Sequence, residues 1–313
     1  MSGEPAVVLR GVTIRYGDFV AVSEVDAVLP SGCVGLLGRN GAGKTSILKA
    51  LLGLVRPSAG ELRIAGVDAA VAPTELRARV GYMPERDGFV PALNGYETVL
   101  LAAELSGIPR HIAARRAHEV LWYVELGEQR YRPVSTYSAG MRQKVKLAAA
   151  LVHDPSIVFL DEPTNGLDPD GRRDLLALIA ALARDFGKTV VLSTHILPDV
   201  ERVCREVVVL ERGRVVAAGE IKELTRGVAR RFHLTVDDHF EAVLAALRHA
   251  GAEARMTSVD RPMEVTLPEG FALSAVFSAV DSVGARVHAL VEQRRSLAEV
   301  FLGAVDQHEA VTP

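Results

Sequence analysis

Residues 38–45 read Gly-Arg-Asn-Gly-Ala-Gly-Lys-Thr and match the G-x-x-x-x-G-K-[ST] pattern at every fixed position. The chemistry open to such a stretch is the binding of a phosphate chain. Gly38, Gly41 and Gly43 leave the backbone free to take φ > 0 and let its N–H groups close on phosphate oxygens, and a following helix N-terminus adds about half a positive charge. Lys44 would reach the β- and γ-phosphates, and the Thr45 hydroxyl would hold Mg²⁺. Arg39, Asn40, Ala42 and Ser46 complete the candidate binding stretch. The plain alternative is a Gly-rich turn with a surface lysine. The flanks argue against it: Val34, Leu36 and Leu37 have strand character, and Ser46 to Leu54 reads as a helix.

Other side chains would serve the same chemistry if the fold gathers them. Ile157-Val158-Phe159-Leu160 is fully apolar and ends in Asp161-Glu162, two carboxylates at the carboxyl end of a buried strand. Mg²⁺ held through Asp161 and a water polarised by Glu162 would compensate both acids, whereas a helix cap would need only one. Tyr137-Ser138-Ala139-Gly140-Met141 ends a polar loop and opens a helix from Arg142 to Val152, which puts Ser138 at an N-cap. That N-terminus can bind an anion, or Ser138 can simply cap it. Tyr16, in the turn Arg15-Tyr16-Gly17-Asp18, could pack on its own strands or stack on a base, a contact worth about 1–3 kcal/mol. Glu85 follows a short strand broken by Pro84 and is left at the strand exit, facing the nucleotide. His195 closes the apolar strand that begins at Thr189. A lone histidine there is more often structural; beside a phosphate loop and a carboxylate pair, the functional reading gains.

The elements that must position these groups follow from periodicity. Val7–Ile14 and Phe19–Leu29 alternate as β-strands, and Gly60–Ile64 makes another. From Tyr96 to Leu126 the pattern is helical, with Val99, Leu100 and Ala103 on one face and Arg115, Arg116 and Glu119 exposed, an insertion spanning about residues 90–150. Pro163–Pro169 is a loop before an amphipathic helix from Gly171 to Arg184.

At 313 residues, with 49% hydrophobic residues, the chain is long enough for two domains. Its net charge of −3 makes no general field for nucleic acid, so none is expected as a partner. No apolar run approaches the roughly 20 residues that span a bilayer, and Met1–Pro5 is short and polar, so neither a leader nor an anchor is expected. Cys33 and Cys204 lack metal-ligand spacing and read as small buried side chains of a reducing compartment.

From about Arg230 the character changes. Phe232, Leu234 and Val236 alternate as a strand, and Phe240, Val243, Leu244 and Leu247 fall at helical spacing. Met263, Val265 and Leu267 form another strand, and Leu273, Val276, Phe277 and Val280 another helix. Arg286–Val291 is a last strand before a helix through Leu297, Val300 and Phe301. This predicts a small α+β, ferredoxin-like domain with nothing catalytic in it. Its expected role is dimer stabilisation, with sensing or regulation as the alternative.

Taken in order, Tyr16, Gly38–Thr45, Tyr137–Met141, Ile157–Glu162 and His195 resemble the ATP-binding subunit of an ABC transporter, over about residues 5–225. The Tyr-Ser-x-Gly-Met signature, the segment Gly81-Tyr82-Met83-Pro84-Glu85 and the ending Ser296–Leu302 are similar to the exporter branch, which pairs with a separate membrane subunit. The resemblance implies an α/β, P-loop NTPase fold over residues 5–226: a RecA-like core with an antiparallel β subdomain and a helical subdomain. The ferredoxin-like accessory domain would then take residues 229–303 and a polar tail 304–313.

It implies further that ATP and Mg²⁺ are bound and that two nucleotides are sandwiched between two such subunits, identical or related. Ser138 and Gly140 of one subunit would face the γ-phosphate held by Lys44 of the other, and Asp168 would bridge the two sites. Glu162 would be the general base, His195 would contact the γ-phosphate and position the attack, and Asp161 and Thr45 would be Mg²⁺ partners. Glu85 departs from the family's usual Gln, which touches Mg²⁺ and the attacking water; Glu remains an oxygen ligand but adds negative charge near Asp161 and Glu162. The implied role is a transport motor on the cytoplasmic face of the membrane, moved by ATP and coupled to a multi-span permease. The alternative is a soluble ATPase of the same family acting on a ribosome or DNA. Such relatives usually carry two ATPase units or long coiled coils, and this chain has one unit and no long heptad run.

Overall fold

The computed structural model describes residues 5–68, 73–226, 230–256, 263–268, 270–293 and 296–303; the expected polar tail lies outside them. The chain divides into two compact units, one ending at Ile221 and one running Lys222–Leu302.

The first unit opens with β1 (Val7–Tyr16), β2 (Phe19–Leu29), β3 (Cys33–Gly38), α1 (Lys44–Leu51), β4 (Ala59–Ile64), β5 (Val67–Asp68), α2 (Pro73–Arg79) and β6 (Val80–Met83). The helical insertion follows as α3 (Gly95–Leu105), α4 (Arg110–Tyr123) and α5 (Ala139–Leu151). The unit ends with β7 (Ile157–Asp161), α6 (Pro169–Arg184), β8 (Thr189–Thr194), α7 (Leu197–Val203), β9 (Glu206–Glu211), β10 (Arg214–Glu220) and the start of α8 (Ile221–Leu224). Strands β2-β1-β4-β5 form an antiparallel sheet; β10-β9-β3-β8-β7-β6 form a second sheet, parallel except for β10. Every residue of β3, β7 and β8 is buried, as a parallel sheet covered on both faces requires.

Register carries these three strands to a common edge. Leu37 pairs with Thr194, and Asp161 with Ser193, so the loops after β3, β7 and β8 emerge side by side. That edge, at the carboxyl ends of parallel strands, is where open α/β sheets bind ligands.

The insertion differs from the continuous helical pattern predicted over Tyr96–Leu126. Gly107 takes φ 84° and Pro109 precedes α4, so the run breaks into two helices between Ser106 and Pro109. The cysteines are buried and free, as expected, and their sulfurs lie 3.3 Å apart.

The second unit contains β11 (Arg230–Val236), α9 (Phe240–His249), β12 (Glu253–Met256), β13 (Met263–Leu267), α10 (Leu273–Ser282) and β14 (Val287–Gln293). Its antiparallel order β12-β13-β11-β14 is the ferredoxin-like arrangement. Strand β12, four residues with only Ala254 buried, was not separable from its flanks by alternation. The core of this unit is apolar, built from Phe232, Leu234, Val243, Leu247, Val265 and Val276 among others.

Candidate nucleotide site

The loop after β3 wraps into the N-terminus of α1. Gly41 and Gly43 take φ 84° and 104°, the left-handed backbone that lets successive N–H groups face one point. Gly38 does not; its requirement is space, because a Cβ there would lie 2.5 Å from the Leu210 carbonyl oxygen and 2.9 Å from Ala42 Cβ. Lys44 is 6% exposed; its ammonium donates to the Gly38 carbonyl at 2.6 Å and to the Arg39 carbonyl at 3.4 Å, and lies 3.4 Å from Glu162 Oε1.

Asp161, at the end of β7, accepts from Thr45 Oγ1 at 3.2 Å and from Ser193 Oγ at 2.9 Å, one hydroxyl for each oxygen. Burial pushes its carboxyl above the ordinary range; the two hydroxyls pull it back, and Glu162 and Glu85 push it up again. The same surroundings push the Tyr82 phenol up to about 12, through burial first and then the charges of Asp161 and Glu85.

Glu162, 5% exposed, sits at φ 48°. A non-glycine residue in this conformation costs about 1–3 kcal/mol and persists only where its surroundings over-determine it. Those surroundings are explicit. The Glu162 N–H donates to the Ser193 carbonyl at 2.8 Å, Thr194 Oγ1 donates to Oε2 at 3.1 Å, and His195 Nδ1 meets Oε2 at 3.0 Å. The other oxygen, Oε1, is buried and has no hydrogen-bond partner among the described residues.

Glu85 reaches the same groove from the exit of β6, where Asn165 Nδ2 contacts its Oε1 at 3.5 Å. Lys146 of α5 fixes the main chain there: its ammonium donates to the Pro84 and Glu85 carbonyls at 3.0 and 2.9 Å and pairs with Asp87 at 3.2 Å, three acceptors for three protons. Burial lowers the Lys146 pKa, and its hydrogen bond to Asp87 offsets this.

Tyr16, 42% exposed, closes the groove at the end of β1, joined by Phe19 at 66% exposure. The whole groove has a volume of about 410 Å³ and is lined by Tyr16, Phe19, Arg39–Ser46, Glu85, Asp161, Glu162, Asn165 and His195. Phe19, Asn165, Ser193, Thr194 and Lys146 were not singled out from sequence. Of these, only Phe19 carried a visible signal, an aromatic residue just past the Tyr16 turn.

Ser138, Gly140 and Asp168 lie elsewhere. They line a second groove of about 490 Å³ with Met141, Gly166 and Leu167. Ser138 Oγ accepts from the Met141 N–H at 3.3 Å, and Asp168 accepts from the Gly171 N–H at 2.9 Å, so both cap helices, α5 and α6. Within one chain this groove contains none of the residues that line the first.

A glycine-rich loop entering a helix, with a buried carboxylate pair at the end of the next strand but one in a parallel sheet, defines a P-loop nucleotide hydrolase. The donor set suits a magnesium–triphosphate: hard oxygens from Thr45 and Asp161, the N–H groups of the loop, a buried lysine, and Glu162 Oε1, which is near Lys44 but accepts no hydrogen bond among the described residues.

Comparison narrows the class. The family model for the ABC transporter matches residues 26–165. The daunorubicin resistance ATP-binding protein DrrA3 of Streptomyces coeruleorubidus is 32% identical over 309 residues, covering 96% of this chain and 95% of its own length. The Nod factor export ATP-binding protein I of Cupriavidus metallidurans is 36% identical over 217 residues, 69% of this chain and 71% of that one. Among solved structures, the dimeric post-hydrolysis state of the ATP-binding cassette MJ0796, bound to ADP and Pi, has a TM-score of 0.63 and 25% identity, and covers 69% of this chain and 98% of its own. The chain belongs to the ABC transporter family of ATP-binding proteins. It is an ATPase, and ATP is its nucleotide.

Proposed function

We propose that the chain is the motor subunit of an export transporter: two copies, or this chain and a related one, close on two ATP molecules and drive a separate multi-span membrane subunit. The observation that carries this is the division of the site. Lys44, Thr45, Asp161 and Glu162 line one groove, and Ser138, Gly140 and Asp168 another. That separation supports a site completed by the first groove of one chain against the second groove of its partner. The names of the relatives, Nod factor export and daunorubicin resistance, support outward transport. Among the described residues no helix is long and apolar enough to cross a membrane, which suits attachment to the cytoplasmic face through a permease.

Each residue has a role on this reading. Tyr16 supports the base. The N–H groups of residues 39–46 and Lys44 hold the phosphates, Lys44 exchanging its bonds to the Gly38 and Arg39 carbonyls for phosphate oxygens. Thr45, Asp161 and Glu85 would hold Mg²⁺, which when bound offsets charge on the phosphate oxygens. Glu162 accepts the proton of the attacking water, and His195, bonded to Glu162 Oε2, keeps the carboxylate aimed and contacts the γ-phosphate. Ser138 and the Gly140 N–H of the partner complete the charge stabilisation, and Asp168 bridges the two sites.

The test is a pull-down of the tagged Glu162→Gln variant, with ATP, from detergent-solubilised membranes. Turnover of this variant falls by about 10²–10⁴, the closed dimer persists, and a multi-span membrane protein co-purifies. Recovery of ribosomes or nucleic acid would establish instead the soluble ATPase, and turnover at the parental rate would remove Glu162 as the base.

A further inference from the structure

Behind the catalytic loops lies a buried polar cluster that the mechanism above does not use. Asp199, in the first turn of α7, is 1% exposed. Its Oδ2 accepts from Thr164 Oγ1 at 2.6 Å and its Oδ1 from Arg172 Nε at 2.6 Å. The three residues come from three places that each carry a candidate site residue. Thr164 lies two positions after Glu162, in the loop that runs to Asp168. Arg172 stands in the first turn of α6, which Asp168 caps. Asp199 lies four positions after His195.

The Thr164 bond is buried and the Arg172 bond partly so, and charge-assisted bonds this short hold geometry tightly. Their placement matters because of the backbone they brace. Glu162 is held in a left-handed conformation, and the ties of its side chain and N–H, to Lys44, Ser193, Thr194 and His195, come from the start of α1 and the end of β8. Further along, Asn165 makes only long contacts beyond the loop among the described residues, with Gln143 at 3.4 Å and Glu85 at 3.5 Å, whereas Thr164 is held at 2.6 Å by Asp199, which joins the loop both to the helix that follows His195 and to the helix that follows Asp168. A buried carboxylate with two donors is no requirement of packing; an apolar residue would fill the same space without desolvation.

We infer that Asp199, acting through Thr164 and Arg172, is a positioning residue for ATP hydrolysis: it locks the Glu162–Asp168 loop against His195 and thereby aims the Glu162 carboxylate. This rests on the reading of Glu162 as the general base. ATP binding does not depend on the lock, because Lys44 and Thr45 are carried by the loop after β3.

The test compares Thr164→Val, Thr164→Ser and Asp199→Asn in the full chain, with Glu162→Gln as control. Steady-state kcat, the Kd of a fluorescent ATP analogue and Tm are measured on each. Thr164→Val keeps shape and removes the donor; its kcat falls about tenfold and that of Asp199→Asn about 10–100-fold, in line with the cost of small misplacements of a catalytic group. The nucleotide Kd stays within about twofold, and Thr164→Ser restores parental kcat. The Thr164→Val and Asp199→Asn double variant is no slower than Asp199→Asn alone, since both remove the same lock. Parental kcat in Thr164→Val and Asp199→Asn, with Glu162→Gln inactive, overturns the proposal while leaving the base in place. Loss of nucleotide affinity in step with kcat, or of kcat in Thr164→Ser to the level of Thr164→Val, overturns it as well. An active Glu162→Gln enzyme rejects the underlying reading instead.

Discussion

The two grooves of the ATP-binding unit are built on opposite principles. The first is buried and charged: Lys44, Asp161 and Glu162 are each less than a tenth exposed, and their charges answer one another across three strand ends. The second is built around two helix starts, where Ser138 and Asp168 use their side chains for capping and Gly140 leaves open space. On the proposed reading the first holds the nucleotide by itself. The second presents N–H groups at a helix N-terminus, and on the proposed reading its contribution depends on a ligand brought by another chain. On that reading binding needs the first groove alone and turnover needs both, so substitutions in the second can separate them.

Lys44→Ala strikes the first groove and has the largest effect. ATP affinity falls by about 10³, the loss of a buried charge-assisted contact to phosphate, measured by titration with a fluorescent ATP analogue. Gly140→Asp strikes the second. A Cβ at Gly140 meets only Ser138 Oγ, at 4.0 Å, so Tm and nucleotide affinity stay parental while turnover falls about 100-fold. Equal loss of affinity in both variants would merge the grooves into one site.

Smaller effects sharpen the electrostatics of the first groove. Glu85→Gln removes a negative charge that pushes on both Asp161 and Tyr82, and kcat rises about two- to fivefold. A fall in kcat would show that the carboxylate is required as such. Asp161→Asn abolishes turnover but raises the Tm of the nucleotide-free protein by about 2–4 °C at pH 7, because the buried carboxylate no longer has to be kept ionised. The sign follows from a folded-state pKa above the unfolded one. The native carboxyl takes up its proton first as pH falls, so the advantage of Asn is full at neutral pH and fades through the raised pKa. Thermal melts from pH 7 downward check it.

The first groove was far more legible in the sequence than its supports. Residues 38–45 and Asp161-Glu162 are contiguous, and contiguous residues placed at strand ends announce their chemistry. The braces are not contiguous: Lys146 reaches Glu85 across 61 positions, and Asp199 reaches Thr164 across 35. Nothing in a buried lysine or a helical aspartate signals such a partner before the strands are ordered. Gly38 is instructive in another way. Its position in the motif was plain, but its reason was contact with the Leu210 carbonyl from β9, a strand more than 160 residues further along the chain. In the C-terminal unit, alternation and helical spacing revealed the long elements and passed over β12, whose four residues are too few to show a period.

The central claim is that a working site takes Lys44 from one chain and Gly140 from another. Mixing the Lys44→Ala and Gly140→Asp proteins, each inactive alone, tests it most directly. The account predicts that turnover returns on mixing, to about a quarter of the parental rate, since half of the dimers carry one intact composite site of two. A mixture as inactive as its components would contradict it.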